Sequence, residues 1–272
     1  MTRIALVTCE AHPGLEPDSQ LLLPALNDLG VDPVPAIWSD PAVDWAAFDA
    51  VVLRSPWDYF DREDEFLAWL EPAARQARAF ANPADLVAWN AHKTYLRDLE
   101  QRGVPVVDTQ WIARGETATV EHEHGIVKPA VSGGAKGLER VTRGATVTAD
   151  VDLLVQPLLE SITTEGELSL FYADGVFTHM VRKVPTAGDI RVQPEFGSTV
   201  VLEQPTDAML AASRVVLDAV GRTLTYARVD LVYAADGSLR LIELEIIEPM
   251  LYLAWAPPAA TAAFARAIAA VA

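Results

Sequence analysis

The sequence predicts a mixed α/β fold, in which an open α/β sheet is followed by two α+β units. Up to residue 77, short apolar runs of strand length alternate with segments of helical periodicity, as in a parallel sheet covered by helices. Asn82-Pro83 then gives a turn signal. Beyond it, β runs dominate and helices become few. We therefore predict three units, at residues 1–83, 84–158 and 159–272.

Each element of the first unit follows from its apolar pattern. The run at 3–8 predicts a buried parallel strand. An apolar stripe predicts a helix at 19–29, in which the apolar positions are Leu22, Leu23, Leu26 and Leu29. Further strands are predicted at 34–37 and 50–53, and a further helix at 62–77.

The rest of the chain is richer in strands. Short helices are predicted at 84–88 and 93–102, the second closed by Gly103-Val104-Pro105. Short strands and loops fill 125–156, and longer β runs cover 166–245 with one helix at 206–221. An alanine-rich helix is expected from residue 257 onward.

Composition narrows the function classes. The chain carries 21 basic and 38 acidic side chains, a formal charge of −17, which repels phosphate backbones and anionic lipid surfaces. We therefore expect neither a nucleic-acid partner nor a membrane partner. The lone Cys9 cannot form an internal disulfide, and no signal peptide precedes the first strand. These features favour a cytoplasmic protein that acts on a small molecule, and they leave a homodimer open.

A β-hairpin is predicted around Asp236-Gly237. This dipeptide favours the two-residue type I′ turn, in which Ala235 would pair with Ser238. Counting outward from that pair fixes which residues of the two strands face each other.

The predicted register gives the hairpin one charged face. It places Asp230 opposite Glu243 and Arg228 opposite Glu245. The other face is apolar and contains Val229, Leu231, Ile242 and Leu244. Opposed carboxylates destabilise a strand pair unless a cation lies between them, and a carboxylate set favours Mg²⁺, which commonly also binds substrate phosphates. The alternative is a solvated edge hairpin whose acids face water.

A glycine-rich loop offers a phosphate site. Lys128 ends a strand and is followed by a loop of small residues that contains Ser132, Gly133, Gly134, Lys136 and Gly137. Glycines let backbone N–H groups approach phosphate oxygens, which lysines neutralise. The spacing matches neither the Walker nor the dinucleotide pattern, and alone such a loop is more often a flexible turn.

Two more segments are candidates for the nucleotide. Lys93 begins an amphipathic helix, where the simpler interpretation is a surface lysine. The run Gln156-Pro157-Leu158-Leu159 is a strand interrupted by proline, which can turn its backbone groups toward an adenine edge, with Glu160 near a ribose hydroxyl.

Two segments are candidates for substrate contacts. Arg182, Lys183 and Arg191 concentrate positive charge in a net-acidic chain and suit a phosphate or a substrate carboxylate, although surface charge is an equal alternative. Residues of the second segment directly follow a predicted strand, where ligands of open α/β sheets bind; they are Arg54, Ser55, Trp57, Asp58 and Tyr59.

These pieces, in this order, resemble the ATP-grasp superfamily of carboxylate-amine ligases over nearly the whole chain. The phrases RSPWDYF, NPADLVAWNAHKTYL and ELEIIEPMLYL are similar to its small glutathione-synthetase-like branch, which includes the cycloserine-forming O-ureidoserine cyclo-ligase. The resemblance implies an ATP-grasp fold with an N-terminal pre-ATP-grasp domain and two α+β subdomains that clasp ATP.

The resemblance also implies roles for individual residues. Lys93 and Lys128 would contact the nucleotide phosphates, and Arg228 would contact the transferring phosphoryl group. Asp230, Glu243 and Glu245 would bind Mg²⁺, although the superfamily has Asn where this chain has Glu245. Segment 132–137 corresponds to the phosphate-covering loop and segment 156–159 to the adenine hinge.

The implied reaction is ADP-forming ligation through an acyl phosphate on a small amino-acid-like substrate, inter- or intramolecularly. It needs no protein nucleophile, only cations around a transferring phosphoryl group, for which Arg228, Lys128 and Arg191 are the catalytic candidates. The alternatives are a ligase that adds an amino acid to a peptide, or a nucleotide-binding sensor without turnover.

Overall fold

The computed structural model describes residues 1–272 and contains four β-sheets. The strands are β1 Thr2–Thr8, β2 Val31–Ile37, β3 Ala50–Ser55, β4 Gln110–Ile112, β5 Thr117–Thr119, β6 His124–Pro129, β7 Glu139–Thr142, β8 Thr146–Thr148, β9 Leu153–Pro157, β10 Glu167–Ala173, β11 Val176–Val184, β12 Thr199–Glu203, β13 Tyr226–Tyr233 and β14 Leu239–Glu245. The α-helices are α1 Pro17–Gln20, α2 Leu22–Asp28, α3 Glu63–Gln76, α4 Ala84–Ala91, α5 Tyr95–Gln101, α6 Ser161–Thr164, α7 Asp207–Val220 and α8 Pro258–Ala269. None of the helices is long and apolar enough to cross a bilayer.

The N-terminal part is an open parallel sheet, as predicted. Its strand order is β2-β1-β3, and both neighbours of β1 run parallel to it. The central strand buries every residue from Ile4 to Thr8. The carboxyl ends of these strands therefore point to one edge, where the loop after β3 begins.

The single helix predicted at 19–29 is instead two helices, α1 and α2, with Leu21 between them. Pro24 explains the interruption, because its ring has no N–H and would clash with the carbonyl of Gln20 in a continuous helix. Glu16 caps the first helix by accepting from the backbone N–H groups of Asp18 and Ser19 at 2.5 and 2.6 Å.

Two antiparallel sheets follow. One has the order β12-β11-β10-β13-β14 and the other β4-β9-β6-β7. The helix predicted at 206–221 is confirmed as α7, with the Thr206 hydroxyl accepting from the N–H of Met209 at its start and Gly221 at its end in the left-handed region (φ 75°).

The core joins segments that are distant in sequence. Phe264 of the C-terminal helix packs in one cluster with Ile4 of β1 and Leu22 of α2. Leu99 of α5 packs in one cluster with Leu170 of the five-stranded sheet. The two antiparallel sheets and the loop after β3 thus enclose one large cavity.

Candidate active site

The cavity has a volume of about 620 Å³ and draws its walls from all parts of the chain. Lys128 and Gln156 come from the four-stranded sheet, and Glu243 and Glu245 from the five-stranded sheet. Trp57 comes from the N-terminal unit. Such a volume is typical of small-molecule sites.

The hairpin that carries the acids has the predicted pairs but not the predicted turn. Its loop has three residues, because Ala234 bonds to the carbonyl of Ser238 and only Gly237 has a positive φ (78°). Asp236 stabilises this loop by accepting from the N–H of Ser238 at 2.9 Å. A type I′ turn would need positive φ at both central residues.

A β-bulge at Ile242 restores the register. The pairs are Leu231 with Leu241 before it and Asp230 with Glu243 after it. Leu241 is therefore the buried core residue, at 1% exposure, whereas Ile242 lines the cavity and not the apolar face on which it was predicted. The extra residue shifts the acids by one position, which keeps them on the cavity side.

Three carboxylates meet at this end of the hairpin. One oxygen each from Asp230, Glu243 and Glu245 lies within 4.8 Å of the others. Arg228 donates to both oxygens of Asp230 at 2.9–3.0 Å and also pairs with Glu245. The sequence prediction that these four side chains share one face is confirmed by the register.

The electrostatics of the carboxylates differ. Burial opposes ionisation of Asp230, but Arg228 and Lys183 outweigh it and hold the pKa of Asp230 below its usual value. In contrast, burial and then the charge of Glu243 raise the pKa of Glu245 to about 7, against the influence of Arg228. Three carboxylates this close together favour an added metal ion between them.

Two lysines approach the acids from the opposite wall. The Nζ of Lys93 lies 3.2 Å from Glu243 and donates to the Ser132 carbonyl at 2.7 Å. Lys93 precedes α5 and is not in it, because its own N–H bonds to the Ala130 carbonyl. Lys128 forms no salt bridge, and burial lowers its pKa. A half-buried cation without a carboxylate partner suits an anionic ligand.

The glycine-rich loop covers this wall and touches the N-terminal unit. Lys136 pairs with Asp61 at 2.5 Å, so its charge faces the loop after β3. A Cβ on Gly133 would lie 2.6 Å from the ring of Phe60. Ser132, Gly134 and Lys136 line the cavity, whereas Gly137 faces Pro129 and a neighbouring, shallower cavity.

The predicted adenine segment lies at the far end of the cavity. Gln156, Pro157, Leu158 and Leu159 line it. The N–H of Leu158 already bonds to the His124 carbonyl, so that donor is not available to a ligand. Glu160 is exposed and does not line the cavity, because the chain turns into α6 at this residue.

The three basic residues predicted to contact the substrate do not all lie in the cavity. Lys183 lines the cavity and lies 2.5 Å from Glu167 and 3.9 Å from Asp230. Arg182 does not, since consecutive side chains of a strand point to opposite faces, and it pairs with Glu203 at 2.6 Å. Arg191 lines the cavity but is held by Asp189.

Only some of the predicted substrate residues in and before the loop after β3 line the cavity. Trp57 and Tyr59 line the cavity, as predicted for a substrate loop. Arg54 and Ser55 are fully buried beneath it, where Ser55 bonds with Thr8. Asp58 accepts from the indole of Trp38 at 2.7 Å and faces away from the cavity.

Sequence reasoning missed several cavity residues. The most informative is Glu248, which lines the cavity three residues after Glu245. His12, Glu167 and Tyr252 line it as well. The signal available for Glu248 was its place in the run Glu245-Ile246-Ile247-Glu248, directly beyond the acidic strand; the other three carry no such signal.

Comparisons with known proteins are consistent across sequence and structure. The family profile described as "D-cycloserine synthetase DcsG, N-terminal domain" matches residues 4–82. The cycloserine biosynthesis protein DcsG of Streptomyces lavendulae is 32% identical over 98% of this chain and 97% of its own length. The crystal structure of D-cycloserine synthetase DcsG superposes with a TM-score of 0.86 at 31% identity, covering 98% of this chain and 99% of that one. The ATP-grasp ligase PsnB, in a complex with a phosphomimetic precursor variant, Mg and ADP, has the same fold with a TM-score of 0.69 at 17% identity, covering 99% and 98% of the two chains.

Proposed function

This chain belongs to the family of the cycloserine biosynthesis protein DcsG, and we propose that it is an ATP-dependent, ADP-forming ligase that joins a carboxylate to an amine. One observation carries the proposal. Three carboxylates within 4.8 Å of one another, with Arg228 among them, face Lys93 and Lys128 across one cavity.

The side chains fit the magnesium and the nucleotide that this activity requires. Asp230, Glu243 and Glu245 supply the hard oxygen ligands that Mg²⁺ prefers. Lys128 is a half-buried cation without a salt-bridge partner, as expected of a residue that binds phosphate. Bound Mg²⁺ would neutralise charge on the transferring phosphoryl group.

The chain's own residues position the reacting groups and stabilise the transferring phosphoryl group, and none of them acts as a nucleophile. An oxygen of the substrate carboxylate attacks the γ-phosphorus of ATP and releases ADP, which gives an acyl phosphate. The substrate amine then attacks the carbonyl carbon, loses a proton, and phosphate leaves. Arg228 and the two lysines stabilise the charge that spreads over the phosphoryl oxygens. Arg191 would join them once released from Asp189.

We infer that both reacting groups belong to one small molecule, so that ligation closes a ring. Two observations support this inference. The relative at 31% identity is a D-cycloserine synthetase, and a cavity of about 620 Å³ suits a nucleotide and a small substrate. Trp57, Tyr59 and Lys183 would line the substrate end.

The proposal extends to the roles of the domains, the localisation and the oligomeric state. The three sequence units at 1–83, 84–158 and 159–272 would act as a substrate-side domain and two subdomains that clasp ATP. Because ATP is the co-substrate and Cys9 is free, we infer a cytoplasmic enzyme. A homodimer remains compatible with this function.

Release of ADP and phosphate tests the function directly. Purified protein with ATP and Mg²⁺ is screened against amino acids, dipeptides and O-ureidoserine. Turnover is expected with a small amino acid derivative and not with Asp230→Asn, while the exposed control Asp150→Asn retains it. Tight ATP binding with no ADP release across the panel would support the sensor alternative instead.

A further inference from the structure

The carboxylates that line the cavity are not equivalent. Glu167 pairs with Lys183, Glu243 with Lys93 and Glu245 with Arg228. Glu195 is exposed on a loop. Glu248 alone is enclosed in the cavity wall without a basic partner within 4 Å.

The surroundings of Glu248 are aromatic. Trp57 and Tyr59 line the same end of the cavity, and His12 contacts the Trp57 ring edge to face at 5.3 Å. Burial, and then the charge of Glu248, raise the pKa of Tyr59 far above its usual value, so the phenol is neutral. Aromatic faces and a carboxylate are the groups that recognise an organic cation.

The backbone that carries Glu248 is fixed by its neighbours. Six consecutive carbonyls, from Ile246 to Leu251, each accept a hydrogen bond from a side chain. The donors in order are Asn82, Tyr226, Trp57, Arg54, Arg228 and His179, at 2.7, 3.0, 3.2, 2.7, 3.3 and 2.9 Å. A carboxylate on such a segment is pre-organised, which reduces the entropy lost when a ligand binds.

The Glu248 carboxylate has no salt-bridge partner of its own. Burial, and then the charge of Glu245, raise the pKa of Glu248 to about 8. A cation at this position would relieve both effects. Lys93 does not fill this role, since it is engaged by Glu243 and by the Ser132 carbonyl.

We propose that the Glu248 carboxylate is the receptor for a primary ammonium group of the substrate. The proposal rests on the ligase function above, and it adds the group by which the substrate is recognised. In an α-amino acid the ammonium nitrogen is two bonds from the carboxyl carbon. Arg228 and Glu248 line the same cavity, so the orientation that we propose places the substrate carboxylate toward Arg228 and its ammonium at Glu248.

Calorimetry with matched ligand pairs tests the receptor separately from turnover. Serine, alanine and O-ureidoserine, each as both enantiomers, are titrated into the protein with Mg²⁺ and ADP. Each is compared with its deamino partner: 3-hydroxypropanoate, propanoate or 3-(ureidooxy)propanoate. We expect at least one amino acid to bind about 10- to 100-fold more tightly than its partner, as for a hydrogen bond between charged groups.

The preference should vanish in Glu248→Gln. This variant keeps the shape of the side chain and removes its charge, and its ADP affinity should not change. The control Glu10→Gln makes the same change at an exposed position outside the cavity and should keep the full preference. The receptor is refuted if Glu248→Gln keeps the preference, or if no amino acid binds the wild-type protein more tightly than its deamino partner. A protein that shows the preference but releases no ADP would refute the ligase function and leave the receptor standing.

Discussion

The guanidinium of Arg54 donates to the carbonyl of Pro249 at 2.7 Å, which joins the loop after β3 to the segment beyond the acidic strand β14. Arg54 is fully buried, donates to Ser19 at 3.2 Å and stacks over Tyr226, and no carboxylate pairs with it. This hydrogen bond thus joins two segments of the cavity wall that are 195 residues apart in the chain.

Replacing Arg54 by methionine should destabilise the protein and impair turnover. Hydrogen bonds from a charged donor are lost, so the free energy of unfolding should fall by about 1–3 kcal/mol. Denaturant unfolding and kcat/KM at a temperature where both proteins are folded measure the two effects. The control Arg78→Met removes an arginine that is 78% exposed, and its unfolding free energy should change by less than about 0.5 kcal/mol. Equal losses in the two variants would contradict the role of Arg54.

Two of the three lysines predicted to bind phosphate, Lys93 and Lys136, should differ in importance. Lys93 is buried beside Glu243, so Lys93→Met should raise the KM for ATP about 10- to 100-fold. Lys136 is exposed and paired with Asp61, and Lys136→Met should raise it less than about threefold. Steady-state kinetics with varied ATP separates them. An equal increase in KM for ATP in the two variants would contradict this expectation. It would mean that Lys136 leaves Asp61 and binds the nucleotide, as the sequence alone predicts.

Adding a methyl group at Gly133 should disturb the covering loop. The new Cβ would lie 2.6 Å from the Phe60 ring, which costs about 1–3 kcal/mol if neither side can move. Gly133→Ala should therefore lower kcat/KM for ATP about tenfold. Phe60→Ala in the same chain should restore part of the loss. Gly14→Ala is the control, because no atom lies within 4 Å of its Cβ position. A Gly133→Ala enzyme with unchanged kinetics would show that the contact is not present during turnover.

Acid should destabilise the protein partly through His179. Burial lowers the pKa of this imidazole from 6.5 to about 4 while the Leu251 carbonyl holds its ring N–H. The unfolded chain therefore binds one more proton between these two pH values, and stability is lost as the pH falls from about 6.5 to 4. The loss is on the order of 3 kcal/mol. Unfolding free energies across this range should fall less steeply for His179→Gln, and parallel curves would exclude the contribution.

The acidic hairpin illustrates what could be predicted from sequence. The pairs Asp230–Glu243 and Arg228–Glu245 are present as predicted, although the predicted turn is wrong. The three-residue loop shifts the strand register by one residue, and the one-residue bulge shifts it back, so the predicted pairs are kept. Alternation of charged and apolar residues decides which face a strand buries, whereas turn type depends on φ values that the dipeptide Asp236-Gly237 only favours.

The basic side chains illustrate what could not be predicted from sequence. Both Lys183 and Arg182 are plausible substrate ligands by charge, but the pleat allows only one of them to reach the cavity. Arg54 follows a strand end, as expected of a ligand-binding residue, yet it is buried beneath the loop. The charge of a long side chain and its position in sequence do not predict which buried hydrogen-bond acceptor it will contact in the folded protein.

By itself the sequence determined the α/β order of the elements and the strand pair that holds the carboxylates, and its motifs showed the resemblance to the ligase family. The order and the strand pair depend on local periodicity and on residue types at short spacing. Only the tertiary structure decided that Glu248 is left without a cation, and that six consecutive carbonyls from Ile246 to Leu251 are held by side chains from four distant parts of the chain. Those contacts join residues whose separation in sequence carries no periodic signal, and they form only when the separate sheets pack around one cavity.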